Sequence, residues 1–482
     1  MSFSYKTRAH DLSKINSEVF DIAIIGGGVT GAAVARDAAL RGLKVVLLEA
    51  GDFASGTSSG SSKLLHGGVR YLENYEFKLV RHAIHERELL KKLYAPMVKD
   101  LEFVFPTFKR KFPARWMLNI GLFLYDAFSR FRVHHKNYSA KEAAEMFPVL
   151  KSENLSGACV YIDSFAEDFR VVIELIKSAH KNSAVCLSRM KVKSFSQEGN
   201  LQPLLVEDTL DSVIYKIRSK FVFNCSGPFS DEVRKMWNLD DALKLTQGVH
   251  FLIPREKLPI NTAFVLPDPE NDRILFAIPW KSSTYFGTTD TSIRDPHQAR
   301  ATEADLNYIL SMVNKYFRSN IIRADVYQSW AAVRPLLKPA KAESNSEISR
   351  EHKIEENPKN IFHILGGKLT SHRLMAQEAL DHLKNRVEMQ ECLTAEKSLE
   401  IDTAWESSSL EEQVKYCIEN EMALMPLDFI RRRTSLYYEM PTQQIAEKVT
   451  ETFAKIFEWK SEQKNQALDE ILHSYTWDKP AH

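Results

Sequence analysis

Gly26-Gly27-Gly28-Val29-Thr30-Gly31, with Glu49 eighteen residues past the last glycine, can hold the pyrophosphate and ribose of a dinucleotide. Each residue type has its own task. Gly26 makes the tight turn, Gly28 lets the backbone approach a pyrophosphate, and Gly31 lets a helix pack against a sheet. N–H groups at the helix start, from the turn through Thr30, join the helix dipole in favouring phosphate oxygens. Glu49 is placed to accept hydrogen bonds from an adenosine ribose and disfavours a 2′-phosphate there. Such a glycine run is weak evidence alone, so its flanks matter. Ile22-Ala23-Ile24-Ile25 reads as a buried strand, Ala32-Ala33-Val34-Ala35 as a helix, and Val45-Val46-Leu47-Leu48 as a second strand. Together they form a βαβ unit that binds FAD or NAD, and these residues do not choose between the two.

At 482 residues the chain has room for two or three domains around a buried core. Lysine plus arginine number 64 against 63 acidic residues, and a net charge of +1 argues against a nucleic-acid partner. The five cysteines (Cys159, Cys186, Cys225, Cys392, Cys417) lack C-x-x-C spacing and suit a reducing compartment. His85 and His134-His135 have no metal-ligand spacing with an acid or cysteine, so no metal is expected. Met1 to Phe20 is polar, with no apolar core of a secretory signal. No 18-residue uncharged apolar stretch exists to span a bilayer. The expected location is cytoplasmic, or on a membrane face.

Along the chain, helical spacing over 77–95 predicts an amphipathic helix. Ser212-Val213-Ile214-Tyr215 and Phe221-Val222-Phe223-Asn224 read as two strands with a polar turn between them. Residues 245–290 read as β-rich, and the charged stretch 340–360 as a loop. Ile361-Phe362-His363-Ile364-Leu365 reads as a strand ending in Gly366-Gly367-Lys368, with a helix from Thr370 onward. From about 395 to 482 the periodicity is helical and no glycine occurs, which marks a separate C-terminal domain.

The loop after Glu49, Gly51-Asp52-Phe53-Ala54-Ser55-Gly56-Thr57-Ser58-Ser59-Gly60-Ser61-Ser62-Lys63, is long and rich in small hydroxyl residues. A simple NAD fold would follow its second strand with a helix. This loop suits a chain passing close to a second large aromatic ring system, as in FAD. From it Thr57, Ser58, Ser62 and Lys63, with Leu64 and His66 just beyond, join Gly26, Gly28, Thr30, Gly31 and Glu49 as cofactor contacts.

Several segments in order resemble the FAD-dependent (aerobic) glycerol-3-phosphate dehydrogenase family. They are Arg36 to Gly42, Gly51 to Glu73, Phe286-Gly287-Thr288-Thr289-Asp290, Val333-Arg334-Pro335-Leu336, Ser349-Arg350-Glu351-His352 and Gly366-Gly367-Lys368-Leu369-Thr370. Asn420-Glu421-Met422-Ala423 and Arg432-Arg433-Thr434 resemble the family's helical C-terminal domain. Cys225-Ser226-Gly227-Pro228-Phe229 departs from the family's small-Thr-Gly-Pro-Trp run, and Ala332 stands where a glycine is usual. The resemblance implies an FAD-binding Rossmann-type α/β domain, formed by 1–95, 150–245 and 345–392. This domain is interleaved with a β-rich substrate domain, 96–149 and 246–344. An all-α domain, 393–482, follows.

The implied reaction is oxidation of sn-glycerol 3-phosphate to dihydroxyacetone phosphate, with hydride transfer to FAD and electrons passed to a membrane quinone. It demands a phosphate clamp, a base and support for an anionic reduced flavin. Arginine suits the clamp because its fork donates two parallel charge-assisted hydrogen bonds. The resemblance places Arg334 and Lys368 at the substrate, with Arg70 beside Tyr71 as further contacts. His250 and His66 are the candidate bases, since imidazole takes a proton near neutrality; His250 is favoured on the substrate side and His66 near the ring. The catalytic set is therefore His250, His66 and Arg334. Gly367, Leu369 and Thr370 meet the flavin from a helix N-terminus, whose dipole favours the anionic ring.

Between Phe105 and Lys136, basic residues (Lys109, Arg110, Lys111, Arg115, then Arg130, Arg132, Lys136) flank Trp116 to Tyr125. This pattern suits an interfacial helix on anionic lipid, peripheral on the cytoplasmic face; the competing reading is a buried domain helix. A homodimer is left open. Two rival functions fit the same architecture. An amine or amino-acid oxidase would need carboxylate recognition in place of the clamp. A non-catalytic flavin redox sensor would hold FAD that glycerol 3-phosphate does not bleach.

Overall fold

The apolar run ahead of the glycine turn forms the strand Val19–Ile25, buried from Ile22 onward. Its side chains are apolar on both faces because both faces of the sheet are covered. In the computed structural model, which describes residues 2–68, 76–109, 115–129, 134–271, 273–339, 352–439 and 442–475, this strand is central. The sheet order is His352–Glu356, Ile361–Gly366, Ile214–Asn224, Val19–Ile25, Val45–Leu48, Val185–Leu187. All neighbours are parallel except the first pair. The helix Val29–Leu40 lies between helices Asp168–Lys181 and His372–Asp381. Its alanines (Ala32, Ala33, Ala35, Ala38, Ala39) are buried, and their small side chains allow that close approach on several sides.

Two expectations need correction. Residues 212–224 hold no turn between two strands: Ile214–Asn224 is one strand. Its polar stretch alternates, with Ile217 and Ser219 buried while Lys220 points to solvent and pairs with Asp21 at 2.7 Å. The first half pairs antiparallel with Leu204–Asp208 and the second half parallel with Val19–Ile25. The charged stretch 340–360 is also not all loop, because His352–Glu356 pairs antiparallel with Ile361–Gly366. There the charged side chains belong to an edge strand, where they remain hydrated.

A second, larger sheet runs Thr291–Ser292, Leu243–Pro254, Ser283–Gly287, Arg273–Trp280, Ala263–Asp268, Lys99–Phe108, Leu155–Phe165, Leu64–Leu65. Gln328–Leu337 pairs along nearly all of Leu243–Pro254. Leu155–Phe165, within the 150–245 segment assigned above to FAD binding, is paired into this second sheet against Lys99–Phe108.

The C-terminal region contains helices Leu410–Asn420, Pro426–Arg432, Gln443–Ile456 and Ser461–Ser474. Buried ion pairs fasten it to the nucleotide-binding sheet. Asp52, three residues past Glu49, receives Arg432 Nε at 2.5 Å and both terminal nitrogens of Arg433 at 2.9 Å. Arg170 reaches Glu421 at 2.7 and 2.8 Å and Glu174 at 2.6 Å. Burial alone pushes the Asp52 and Glu421 carboxyls up, but these guanidinium groups overcome it. Asp52 is held well below the usual carboxylate range and Glu421 is pushed down to about 2. The C-terminal motifs noted in the sequence are therefore the domain's charge lock.

Removing Arg433 leaves the buried Asp52 with Arg432 alone, and breaking a buried pair costs up to about 3–5 kcal/mol. Arg433→Ala should lower the melting temperature accordingly, read by calorimetry at neutral pH. Because both carboxyls are depressed in the folded state, their contribution is full above their ordinary values, 3.8 for Asp52 and 4.5 for Glu421, and fades as pH falls below these. The parent should lose its advantage over Arg433→Ala in that acid window. Equal stability of the two proteins at neutral pH would refute the lock.

Candidate active site

The glycine turn is shaped by contacts that admit no side chain. Gly26 has a left-handed φ of +106°, and a Cβ there would meet the Cys225 carbonyl oxygen at 2.7 Å. A Cβ on Gly31 would lie 1.9 Å from the Gly26 oxygen, so the helix can close on the turn only with glycine there. Glu49 lies over this turn. Its two oxygens accept from the N–H groups of Gly27 at 2.6 Å and Gly51 at 2.7 Å. Burial pushes the Glu49 carboxyl up, and those two N–H groups oppose the rise.

The hydroxyl-rich loop then links the parts of the site in turn. Ser58 Oγ accepts the Val29 N–H at the helix start, at 2.9 Å. Thr57 donates to the Val333 carbonyl at 2.5 Å, beside Arg334. The Trp330 indole donates to the Gly60 carbonyl at 3.0 Å. A Cβ on Gly60 would meet the Ala332 methyl at 2.8 Å, so Gly60 makes the room that Ala332 occupies. Ser62 Oγ lies 2.8 Å from His250 Nε2. Farther on, the His66 carbonyl accepts from Thr370 Oγ1 at 3.4 Å, and Leu64–Leu65 packs against the turn Leu369–Ser371.

His250 and Arg334 stand on neighbouring strands, Leu243–Pro254 and Gln328–Leu337. Two glycines give them space. A Cβ on Gly287 would strike the His250 ring at 2.2 Å, and one on Gly248 would strike Arg334 Nη2 at 2.4 Å. Gly248 and His250 are two apart on one strand, so guanidinium and imidazole share a sheet face, roughly 6–7 Å apart along it. Thr288, Thr289 and Asp290 hold the guanidinium at 2.8, 3.1 and 3.3 Å. His250 is 3% exposed and stacks on Trp330, centroids 4.7 Å apart. Burial, then Arg334, then Lys63 push its pKa well below the ordinary value, so the imidazole is neutral.

The remaining assigned residues fall in three places. Lys368 is half-buried on the turn after Gly367, which has a left-handed φ of +92° and abuts Met375. His372 fixes that turn: its Nδ1 lies 2.5 Å from the Leu369 carbonyl and its Nε2 2.9 Å from Tyr94 Oη. The helix expected from Thr370 begins at His372, after a short 3-10 turn. Lys63 turns its ammonium away from the loop surface into a fully buried cage, where it meets Asp168 at 2.7 Å. Arg70 and Tyr71 lie outside the described residues, as do Ser349-Arg350-Glu351. Among the described residues no cluster of three or more His, Cys, Asp or Glu side chains could hold a metal ion.

Sequence reasoning missed Asp168, Trp330, His372 and Tyr438, each of which braces the site from a distant part of the chain. The Thr288-Thr289-Asp290 run was visible as a motif, but only its packing on Arg334 reveals what it does.

Residues 21–381 match the family described as FAD dependent oxidoreductase, and residues 373–464 match the C-terminal domain of alpha-glycerophosphate oxidase. An aerobic glycerol-3-phosphate dehydrogenase of Staphylococcus haemolyticus is 31% identical, covering 98% of this chain and 97% of the relative. The chain belongs to the FAD-dependent glycerol-3-phosphate dehydrogenase family. A glycerol-3-phosphate dehydrogenase of Mycobacterium leprae is 37% identical over 78% of this chain and 64% of its own, just under two thirds of that longer protein. The solved glycerol-3-phosphate dehydrogenase of Bacillus halodurans, complexed with FAD, has a TM-score of 0.81 at 27% identity, covering 98% of both chains. An L-alpha-glycerophosphate oxidase of Mycoplasma pneumoniae shares the fold, with a TM-score of 0.65 at 16% identity.

The cofactor is FAD, and this chain is an FAD-dependent oxidoreductase of mixed α/β architecture with a helical C-terminal domain. The residues present fit that group. The side-chain-free turn and helix start can take the pyrophosphate, and Glu49 can take the ribose. When bound, FAD supplies a two-electron acceptor for hydride. Gly31→Ala should yield folded protein, by circular dichroism, that is isolated without flavin absorbance. A yellow variant with the parent's FAD affinity would show that the turn does not carry the pyrophosphate.

Proposed function

We propose that this enzyme oxidises sn-glycerol 3-phosphate to dihydroxyacetone phosphate and passes the electrons to a membrane quinone. The observation that carries this reading is the pairing of Arg334 with a neutral His250 on one sheet face. A fixed cation beside a neutral imidazole suits a substrate with a phosphate at one end and a secondary alcohol next to it. Arg334 clamps the phosphate by charge-assisted hydrogen bonds, with Lys368, Arg70 and Tyr71 as further contacts. His250 takes the hydroxyl proton as hydride leaves carbon 2, and His66 lies on the cofactor side. The arriving dianion offsets the field of Arg334, which favours the protonated imidazole as the reaction proceeds. The names of the Staphylococcus haemolyticus and Bacillus halodurans relatives support the same substrate.

The helix Arg115–Phe128 supports the membrane part of the reading. It turns Leu118, Leu122 and Tyr125 inward. Outward it presents Trp116, Ile120 and Phe123, 65, 56 and 57% exposed. An apolar outer face beside Lys109 and Arg115 fits a peripheral enzyme on an anionic lipid surface of the cytoplasmic membrane face. Among the described residues no helix is long and apolar enough to cross a bilayer.

Two measurements test these points. Arg334→Ala removes a contact worth roughly 2–5 kcal/mol, so kcat/KM with glycerol 3-phosphate should fall about 30-fold or more. Activity with unphosphorylated glycerol should change far less; equal damage to both substrates would place Arg334 at carbon 2 instead. Each apolar side chain in the lipid interface contributes about 1.5–3 kcal/mol. The double variant Trp116→Ser, Phe123→Ser should therefore bind anionic vesicles at least about tenfold more weakly in co-sedimentation. Unchanged binding would return the helix to a plain structural role.

A further inference from the structure

Beside Arg334 the second sheet takes in an extra residue. His250 pairs with Gly287 and Gln247 with Thr291, so Gly248 and Val249 on one strand face Thr288, Thr289 and Asp290 on the other. Such a bulge bends its strand and re-aims side chains. Here each of its residues is pinned. Thr289 Oγ1 accepts the Val249 N–H at 3.2 Å, and Thr288 Oγ1 donates to the Thr289 carbonyl at 3.1 Å. The Asp290 carbonyl accepts from Arg273 Nη2 at 2.9 Å. Arg273 lies over the Tyr308 ring, 5.5 Å from its centroid, and Tyr308 donates to Asp268 at 2.8 Å.

The bulge lays Asp290 Oδ1 3.3 Å from Arg334 Nη1, and this is the only ion pair of Asp290 among the described residues. The side chains of Arg334 and Asp290 are 22% and 17% exposed, so a ligand can reach the guanidinium with the carboxylate beside it. Thr288 Oγ1 and the Thr289 carbonyl already orient the guanidinium at 2.8 and 3.1 Å. The carboxylate makes the longest of the three contacts, and what it adds is charge. A phosphate held on the same guanidinium comes closer to Asp290 than the Debye length of about 8 Å, and in a partly buried site salt screens their repulsion weakly. Substrate and product of the proposed reaction carry the same phosphate. Contact energy common to every state lowers KM without speeding the chemistry, and it delays departure of the product. A carboxylate on the clamp limits that contact.

We propose that Asp290 is a built-in counter-ion of Arg334, whose charge weakens the hold of the clamp on phosphate and so eases release of the phosphorylated product. The inference rests on the reading of Arg334 as the phosphate clamp. Asp290 acts through Arg334 and not on the reacting carbon, which makes it a positioning residue. Arg273, by pinning the Asp290 carbonyl, keeps the carboxylate on the guanidinium.

Asp290→Asn keeps an oxygen for Arg334 Nη1 and removes the charge. In FAD-loaded protein, inorganic phosphate is titrated as a competitor of anaerobic flavin bleaching by glycerol 3-phosphate. Its inhibition constant should fall at least about threefold in Asp290→Asn. The half-saturating concentration of glycerol 3-phosphate, and inhibition by dihydroxyacetone phosphate, should tighten by a similar factor. Bleaching by unphosphorylated glycerol should keep the concentration dependence of the parent. Asp290→Ser, a second neutral replacement, should tighten phosphate in the same direction. Loss of a merely structural contact weakens binding and does not produce this gain. An unchanged or weaker hold on phosphate in Asp290→Asn overturns the proposal, as does equal tightening toward glycerol. If Arg334→Ala is still inhibited by phosphate as the parent is, the clamp reading itself fails, whatever Asp290 does.

Discussion

The ion pair between Lys63 and Asp168 is the constraint around which the site is organised. Both side chains are fully buried. Taking two charges out of water costs several kcal/mol each, so such a pair persists only where further partners satisfy it. Here Asp168 also accepts from Ser61 and from the Phe169 N–H at 3.0 Å, while Lys63 also donates to the Ser59 carbonyl at 3.2 Å. Aromatic faces on four sides (Phe169, Trp280, Trp330 and Tyr438) supply the electrostatic complement that water would otherwise provide. Burial pushes the Lys63 ammonium down, but Asp168, with Tyr438 and Glu167, more than reverses this and keeps it charged. The pair fixes residues 59 to 63 as a unit, and that unit meets both sheets.

The cage also ties together parts of the chain that lie far apart in sequence. Asp168 begins the helix behind the nucleotide-binding sheet, Trp280 and Trp330 come from the second sheet, and Tyr438 comes from the C-terminal domain. Tyr438 donates its hydroxyl to the Ser59 carbonyl at 3.0 Å, and its own carbonyl accepts from Tyr327 at 2.8 Å. With Asp52 locked to Arg432 and Arg433, the C-terminal domain grips both ends of the hydroxyl-rich loop. A helical domain carrying none of the assigned site residues is in this way part of the wall behind the site.

Glycines do the opposite work of making room. Gly248 and Gly287 clear the volumes taken by Arg334 and His250, and Gly60 clears the one taken by Ala332. The departure from the family at Ala332 is therefore accommodated by a residue 272 positions earlier. Neither member of such a pair can be understood from its own neighbourhood in the chain.

What the sequence determined by itself is local in origin. The spacing of Gly26, Gly28, Gly31 and Glu49 sets a βαβ turn because glycine geometry and apolar periodicity act over a few residues. The ordered motifs carried the family, the cofactor and the split between α/β and helical parts. The turn between 212 and 224 was misjudged because alternating lysines on a half-exposed strand look polar in sequence, and only pairing on both sides shows the strand. Tertiary structure alone decided that Lys63 points into a cage, that Asp168 receives it, and that Ser62 faces His250. Those arrangements depend on contacts across more than a hundred residues, where burial and the need to satisfy each buried charge and N–H outweigh any local preference.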